Sequence, residues 1–445
     1  MWRVAVIGCG VGRNHIAQGY LRHPEKFRVQ ALCDVDEPAL TAVADEFAIA
    51  RRARSFDEVL RMDDVDIVDI CTPAALHFRQ ILGALSAGKE VVCEKPLVGT
   101  LAEIDELIAA EKAATGRVMP IFQYRYGNGV QKAKRIIDAG LAGKPYLATV
   151  ETAWKRTPEY YQTAWRGRRQ TEPGGVLLMH AIHNHDLVTW LMGPAASVFA
   201  QTATRVNPVE VEDCAVASLV MRNGALASLA ATLGSQREIS RLRLCFEHVT
   251  FESRTTPYSP GDDPWEISAA SPEAEARIAD ALAGHRTAPS RYEGQFAAYH
   301  VALTTGAALP VSLADAGASL ELATALYHSA AVGALVTLPI SPDHPSYNGW
   351  TNPKDGVRGK LSYSAPKSEP ARCTAVMSST YPTPAPSAWA SGRASLDRWK
   401  WPKRWCRRTS LGSSKAGRAR SNTRKRRSTI CSRRRRTRAG HAARR

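Results

Sequence analysis

The stretch RVAVIGCGVGRNH (Arg3–His15) decides the architecture. Arg3–Ile7 is a short apolar, β-branched run that stops at Gly8, and the glycines at 8, 10 and 12 then open a helix. Gly8 suits the tight turn, and a side chain at Gly10 would block the approach of a pyrophosphate, whose charge would lie on amides at the helix N-terminus. The expected cofactor-binding residues of this loop are Gly8, Gly10, Val11, Gly12, Arg13 and Asn14. The second strand, VQALCD (Val29–Asp34), ends in an acid. A carboxylate there accepts hydrogen bonds from an adenosine ribose and repels a 2′-phosphate, so Asp34 points to NAD rather than NADP.

Outward from this start, strand and helix alternate. VDIVDICT (Val65–Thr72), EVVCE (Glu90–Glu94) and RVMPIFQ (Arg117–Gln123) are nearly continuous apolar runs, suited to a parallel sheet covered on both faces. Ser55 with Glu58, and Thr100 with Glu103, have capping-box spacing. Gly88 and Gly116 follow the helical stretches Leu76–Ala87 and Leu101–Thr115, where a left-handed residue is wanted. The expectation is a doubly wound α/β domain. Further on, Cys214–Leu233 alternates as a hairpin turning at Arg222–Asn223–Gly224, and the uncharged Leu322–Ile340 reads as a buried helix and short strand rather than a membrane span.

The net charge of +17 is unevenly placed. Residues 353–445 carry 26 Lys and Arg against 3 Asp and Glu, leaving 33 against 39 in residues 1–352. The mildly acidic body is therefore not a nucleic-acid-binding domain. The tail, with RWKWPKRW (Arg398–Trp405) and RRRR (Arg433–Arg436), reads as a disordered appendage or an out-of-frame translation, able to hold nucleic acid only nonspecifically. Nine cysteines form no CxxC pair and no metal-ligand spacing, which points to a reducing compartment and to no bound metal. MWRVAVIG enters the first strand without the features of a signal peptide, so a cytoplasmic location is expected.

Three blocks resemble a known family: CTPAALH (Cys71–His77), GKEVVCEKPL (Gly88–Leu97) and GGVLLMHAIHNHD (Gly174–Asp186). They look like the signatures of the glucose–fructose oxidoreductase/inositol dehydrogenase/rhizopine catabolism family, over residues 1 to about 350. The resemblance implies an N-terminal Rossmann domain (1–122) and a C-terminal α/β domain (123–352) on a large, open, mainly antiparallel sheet. It implies a homodimer or homotetramer joined through that sheet, and NAD(P)-dependent chemistry at a carbinol carbon of sugars, inositols or polyols. An NAD-dependent glycosidase, or a cofactor-binding regulator without turnover, are the alternatives.

Lys95 follows an apolar strand at the edge where ligands bind in open α/β sheets. An ammonium there can stabilise the alkoxide that develops as hydride leaves carbon, the role the resemblance implies. The resemblance also places Glu94 on the nicotinamide ribose, lines the cofactor cleft with Thr72, Pro73 and His77, and makes His183 the acceptor of the hydroxyl proton. Four residues before this histidine, where the family often has aspartate, stands Met179, leaving His180 or Asp186 to orient the imidazole. The spacing of three from His180 to His183 and to Asp186 suggests one helix carrying all of them. Tyr124 and Arg125, then Trp165 and Arg166, are the further candidates for substrate contact.

Overall fold

The computed structural model describes residues 1–163 and 165–350. Six parallel strands form the first sheet: β1 (Trp2–Ile7), β2 (Phe27–Cys33), β3 (Arg51–Ala53), β4 (Ile67–Ile70), β5 (Glu90–Cys93) and β6 (Val118–Pro120). Their order is β3-β2-β1-β4-β5-β6, which reverses direction between β1 and β4 and opens a crevice at the carboxyl ends of those strands. Between them run α1 (Cys9–Gln18), α2 (Glu37–Glu46), α3 (Phe56–Leu60), α4 (His77–Ser86) and α5 (Leu101–Ala113).

Local chemistry sets these boundaries. Ser55 caps α3 by accepting the Glu58 amide, and Thr100 and Glu103 form the complete reciprocal box on α5. Gly88 is left-handed at φ 70° after α4. Gly116 is not left-handed, contrary to the expectation: a Cβ there would stand 2.0 Å from the Lys89 carbonyl oxygen, so close backbone approach is what excludes a side chain. The short β3 was not anticipated, because two of its three side chains are exposed arginines.

α6 (Asn128–Asp138) leads into the second sheet, built from β7 (Pro145–Lys155), β8 (Ala195–Ala203), β9 (Cys214–Met221), β10 (Leu226–Thr232), β11 (Gly234–Phe246), β12 (Val249–Glu252), β13 (Glu266–Ala269) and β14 (Val336–Thr337). Its order is β13-β12-β11-β7-β10-β9-β8-β14, antiparallel except where β10 runs parallel to β7. The β9–β10 hairpin turns where expected, with Gly224 at φ 87°. One face packs on α7 (Ile182–Met192) and α10 (Leu313–Val332); the other leaves Leu147, Phe199, Val216, Val220 and Leu226 exposed. Leu322–Ile340 is the end of α10 and β14, and no helix among the described residues is long and apolar enough to cross a membrane.

After α8 (Pro272–Ala283), the chain returns to the first sheet's side of the molecule. α9 (Arg291–Thr305) lays Phe296 on Tyr20, ring centroids 4.4 Å apart, and α10 packs on α5 and β6. A boundary in sequence near residue 122 is therefore not a boundary in packing. The basic segment 353–445 lies outside the described residues.

Candidate functional site

The glycine loop closes the crevice floor. At φ 97°, Gly8 holds a backbone shape that L side chains rarely adopt, and a Cβ there would meet the Cys71 carbonyl at 2.6 Å. Gly12 packs α1 on β1, since its Cβ would stand 2.7 Å from Val6 Cγ1. Gly10 faces open space, with nothing within 4 Å, as a cradle for a pyrophosphate requires. Asp34 reaches this loop: its Oδ2 accepts the Cys9 amide at 2.7 Å and its Oδ1 the Asp36 amide at 2.9 Å. Val11, Arg13 and Asn14 are half-buried on α1, and Arg13 is paired with Glu46 on α2 rather than turned toward the loop.

Across the crevice, Thr72 and Pro73 follow β4 and lead into α4. The buried His77 ring lies between the Thr72 carbonyl (2.8 Å from Nε2) and the Pro96 carbonyl (3.0 Å from Nδ1), tying the two loops together. A neutral ring donates to one of these at a time, and burial lowers its pKa. Thr72 donates its hydroxyl to Gln80.

Glu94 and Lys95 follow β5. Glu94 is buried, with Oε1 facing His15 Nε2 at 3.0 Å and accepting the Tyr292 hydroxyl at 3.0 Å, and Oε2 accepting the Lys95 amide at 3.0 Å. Burial pushes its pKa up, but the bond and charge of His15, then Lys95, outweigh this and hold it at about 2. The Lys95 ammonium donates to the Met179 carbonyl at 3.0 Å. Met179 lies in a wide π turn, Val176–His180, where the Ala181 amide donates to the Val176 carbonyl.

His183 occupies the first turn of α7. It stacks on Tyr124 at 4.4 Å between centroids and meets Phe122 edge-on. Burial and then the Lys95 charge keep its pKa well below the ordinary histidine range, and Nδ1 has no partner among the described residues. His180 stands in the π turn rather than on the helix, 3.4 Å from the Tyr160 hydroxyl and edge-on to Trp154. Burial, then the charges of Arg156, Lys95 and Arg166, lower its pKa strongly. Arg166 lies 3.9 Å from the Tyr160 ring centroid and 4.7 Å from that of Trp165, so both sequence candidates join the His180 side of the site.

Two expectations are corrected. Asp186 does not orient His183: its oxygens accept Arg125 Nη2 at 2.6 Å and Nε at 2.8 Å, with Ser319 at 3.2 Å. Arg125 in turn reaches Asp315 at 2.9 Å and is buried in this pairing rather than presented to a ligand. The reason is the one-turn step along α7, which turns Asp186 toward Arg125 and α10.

Sequence reasoning missed His15, Asp69, Tyr292 and Glu172. Glu172 is buried and within electrostatic reach of Arg166 and Lys95; its Oε1 has no partner among the described residues. No local pattern marks it. Among the described residues, the donors near enough to share an ion are His15, Asp69 and Cys71, held at hydrogen-bond separations.

A parallel sheet of this order, with a glycine loop at its switch point, defines a dinucleotide-binding α/β protein. Residues 2–122 match the model of an oxidoreductase family with an NAD-binding Rossmann fold, and residues 130–252 match the GFO/IDH/MocA C-terminal domain. The chain belongs to the GFO/IDH/MocA oxidoreductase family. It is 30% identical over 230 residues to the uncharacterized oxidoreductase YrbE of Bacillus subtilis, covering 50% of this chain and 64% of that protein. It is 27% identical over 232 residues to the myo-inositol 2-dehydrogenase of Thermotoga maritima, covering 50% of this chain and 66% of that one. The alignments thus span less than two thirds of these curated relatives. The WlbA dehydrogenase of Chromobacterium violaceum, solved in complex with NADH and UDP-GlcNAcA, is 30% identical with a TM-score of 0.66, over 76% of this chain and 96% of that one.

Proposed function

We propose that the protein transfers hydride between a carbinol carbon of a sugar, inositol or related polyol and NAD. The observation that carries this reading is the Lys95 ammonium at the carboxyl end of β5, anchored on the Met179 carbonyl and within electrostatic reach of the His183 imidazole. NAD, when bound over Gly8–Asn14 with its ribose toward Asp34, supplies the hydride acceptor. Lys95 places positive charge where an alkoxide forms. His183, neutral through the working range because its pKa is depressed, takes the hydroxyl proton and returns it in the reverse direction. Glu172, His180, Trp165 and Arg166 lie together on the His180 side, where Glu172 Oε1, without a partner among the described residues, suits a hydroxyl-rich ligand. The names of the relatives, one acting on myo-inositol and one solved with an acidic sugar nucleotide, support the same substrate class.

The test is NADH formation across a panel of inositols, aldoses and sugar acids. On a substrate so found, Lys95→Ala lowers turnover by roughly 10²-fold with NAD binding nearly intact. His183→Ala does likewise at every pH of the working range, and removes an acid limb that the depressed pKa places well below the ordinary histidine range. Near-normal turnover in either variant refutes its role. Release of a glycosidic product without net NADH favours the glycosidase, and NAD binding with no turnover on any substrate favours the regulator. The exposed apolar side chains of β7–β10 suit a sheet-to-sheet homodimer or homotetramer, read out by light scattering on wild type and Val216→Glu.

A further inference from the structure

The His15 ring is fully buried and has a carboxylate at each nitrogen. Nδ1 lies 2.9 and 3.1 Å from the two oxygens of Asp69, and Nε2 lies 3.0 Å from Glu94 Oε1. A neutral imidazole has one N–H, so its other nitrogen would turn a lone pair on an ionised carboxylate at hydrogen-bond distance. Only the doubly protonated ring satisfies both. The other groups facing it are compatible with that charge. The Cys71 thiol, 3.4 Å from Nδ1, is kept protonated by burial; Tyr292 lies 4.7 Å away, ring to ring, and Phe296 meets the ring edge-on. The Tyr20 and Tyr299 hydroxyls feel the Asp69 charge, Tyr299 donating to Glu90, and burial holds both protonated.

The position of this cation gives it a purpose. His15 is on α1, the helix that carries the glycine loop; Asp69 is on β4; Glu94 is beside Lys95; Tyr292 is on α9. Glu94 Oε1 faces both His15 and Tyr292, while Oε2 holds the Lys95 amide. We infer that His15 is a positioning residue: a permanently protonated imidazole that fixes Glu94, and through it the backbone of Lys95, relative to the dinucleotide helix. The inference rests on the reading of Lys95 as the alkoxide-stabilising group. Removing the charge leaves Glu94 a buried carboxylate short of a partner, which then protonates or turns and releases the Lys95 amide.

Two measurements on the full chain test it. Nitrogen-15 spectra of histidine-labelled protein, with His15 assigned by its loss in His15→Asn, should show both ring nitrogens protonated from pH 7 to 9. In kinetics, His15→Asn should lower kcat at least tenfold while the KM for NAD stays within about threefold, and Tyr292→Phe should lower kcat severalfold in the same pattern. Cys71→Ala should change neither. If His15→Asn fails to fold, His15→Gln supplies the assignment and Tyr292→Phe the kinetics. A singly protonated ring at pH 7 overturns the inference. So does unchanged kcat in His15→Asn and Tyr292→Phe while Lys95→Ala is inactive. Full turnover in Lys95→Ala instead overturns the catalytic reading, and the positioning role with it.

Discussion

Two glycines of one loop should respond in opposite ways to the same added methyl group. In Gly10→Ala the new Cβ meets nothing within 4 Å, and the residue lies in the first turn of α1. Alanine costs a helix roughly 0.5–1 kcal/mol less than glycine, so the cofactor-free variant should be as stable as wild type or up to about 1 kcal/mol more so. In Gly12→Ala the Cβ stands 2.7 Å from Val6 Cγ1 and 3.4 Å from Cys71 Cβ. Both neighbours are locked in the core, and overpacking of this kind costs about 1–3 kcal/mol. The cofactor reverses the first result. At a hundredfold excess over its dissociation constant, NAD adds about 2.7 kcal/mol to wild-type stability. At about 2–4 °C per kcal/mol that is a rise in Tm of roughly 5–10 °C. The Gly10→Ala methyl occupies the space the pyrophosphate needs, so its Tm should rise by less than about 2 °C at the same NAD concentration, a loss of roughly twentyfold or more in affinity. Thermal unfolding with and without NAD reads both effects. A full NAD-induced rise in Gly10→Ala would show that the phosphates do not pass over this residue. A Gly12→Ala protein as stable as wild type would refute the packing argument.

Asp34→Ser should narrow the preference for NAD over NADP, by titration of both, and an unchanged ratio would remove the ribose from Asp34. Asp186→Ala should destabilise the protein by about 3–5 kcal/mol, because it leaves the Arg125 guanidinium buried without its bidentate partner; the turnover of the surviving folded fraction should keep its pH profile, whereas a role in orienting His183 would shift it. Stability should fall on the acid side. Burial sets the pKa of His185 at about 4 and those of His180 and His183 well below the ordinary value, against about 6.5 in the unfolded chain. The unfolded chain then binds more protons, so this stability is present above pH 6.5 and is lost as pH falls through the folded values, with His185 alone worth about 3 kcal/mol. His15 has the opposite sign: its pKa is raised by Asp69 against the effect of burial, so its contribution is present below 6.5 and is lost as pH rises through the folded value. A urea midpoint that is flat between pH 4 and 6.5 would contradict the acid-side prediction.

What could be read in advance followed from local rules. The loop after β1, the boxes at Ser55 and Thr100 and the hairpin at Gly224 each depend on residues a few positions apart. The place of Lys95 at the end of β5 was legible because its block is compact and ends an apolar strand. The network beneath it was not, since residues 15, 69, 94 and 292 meet only after the sheet has formed and α9 has returned to it. One signal was available: Asp69 interrupts an apolar run in a strand expected to be covered on both faces, and a buried carboxylate there demands a partner. Asp186 and Arg125 misled for the converse reason. Charged residues near a candidate site look functional in a sequence, while a buried pair that satisfies itself looks the same until the geometry is known.

The bond from Lys95 to the Met179 carbonyl bears on how the family can diverge. A contact made to a side chain is inherited with that residue; a contact made to a carbonyl is inherited with the path of the main chain. Exchanges at position 179 can therefore accumulate without loosening the lysine, and a comparison that scored this column by residue type would record a loss where the anchor persists. Insertion or deletion of a residue within Val176–His180 is a different event. It would rewind the π turn and carry the carbonyl that the ammonium meets to another bearing.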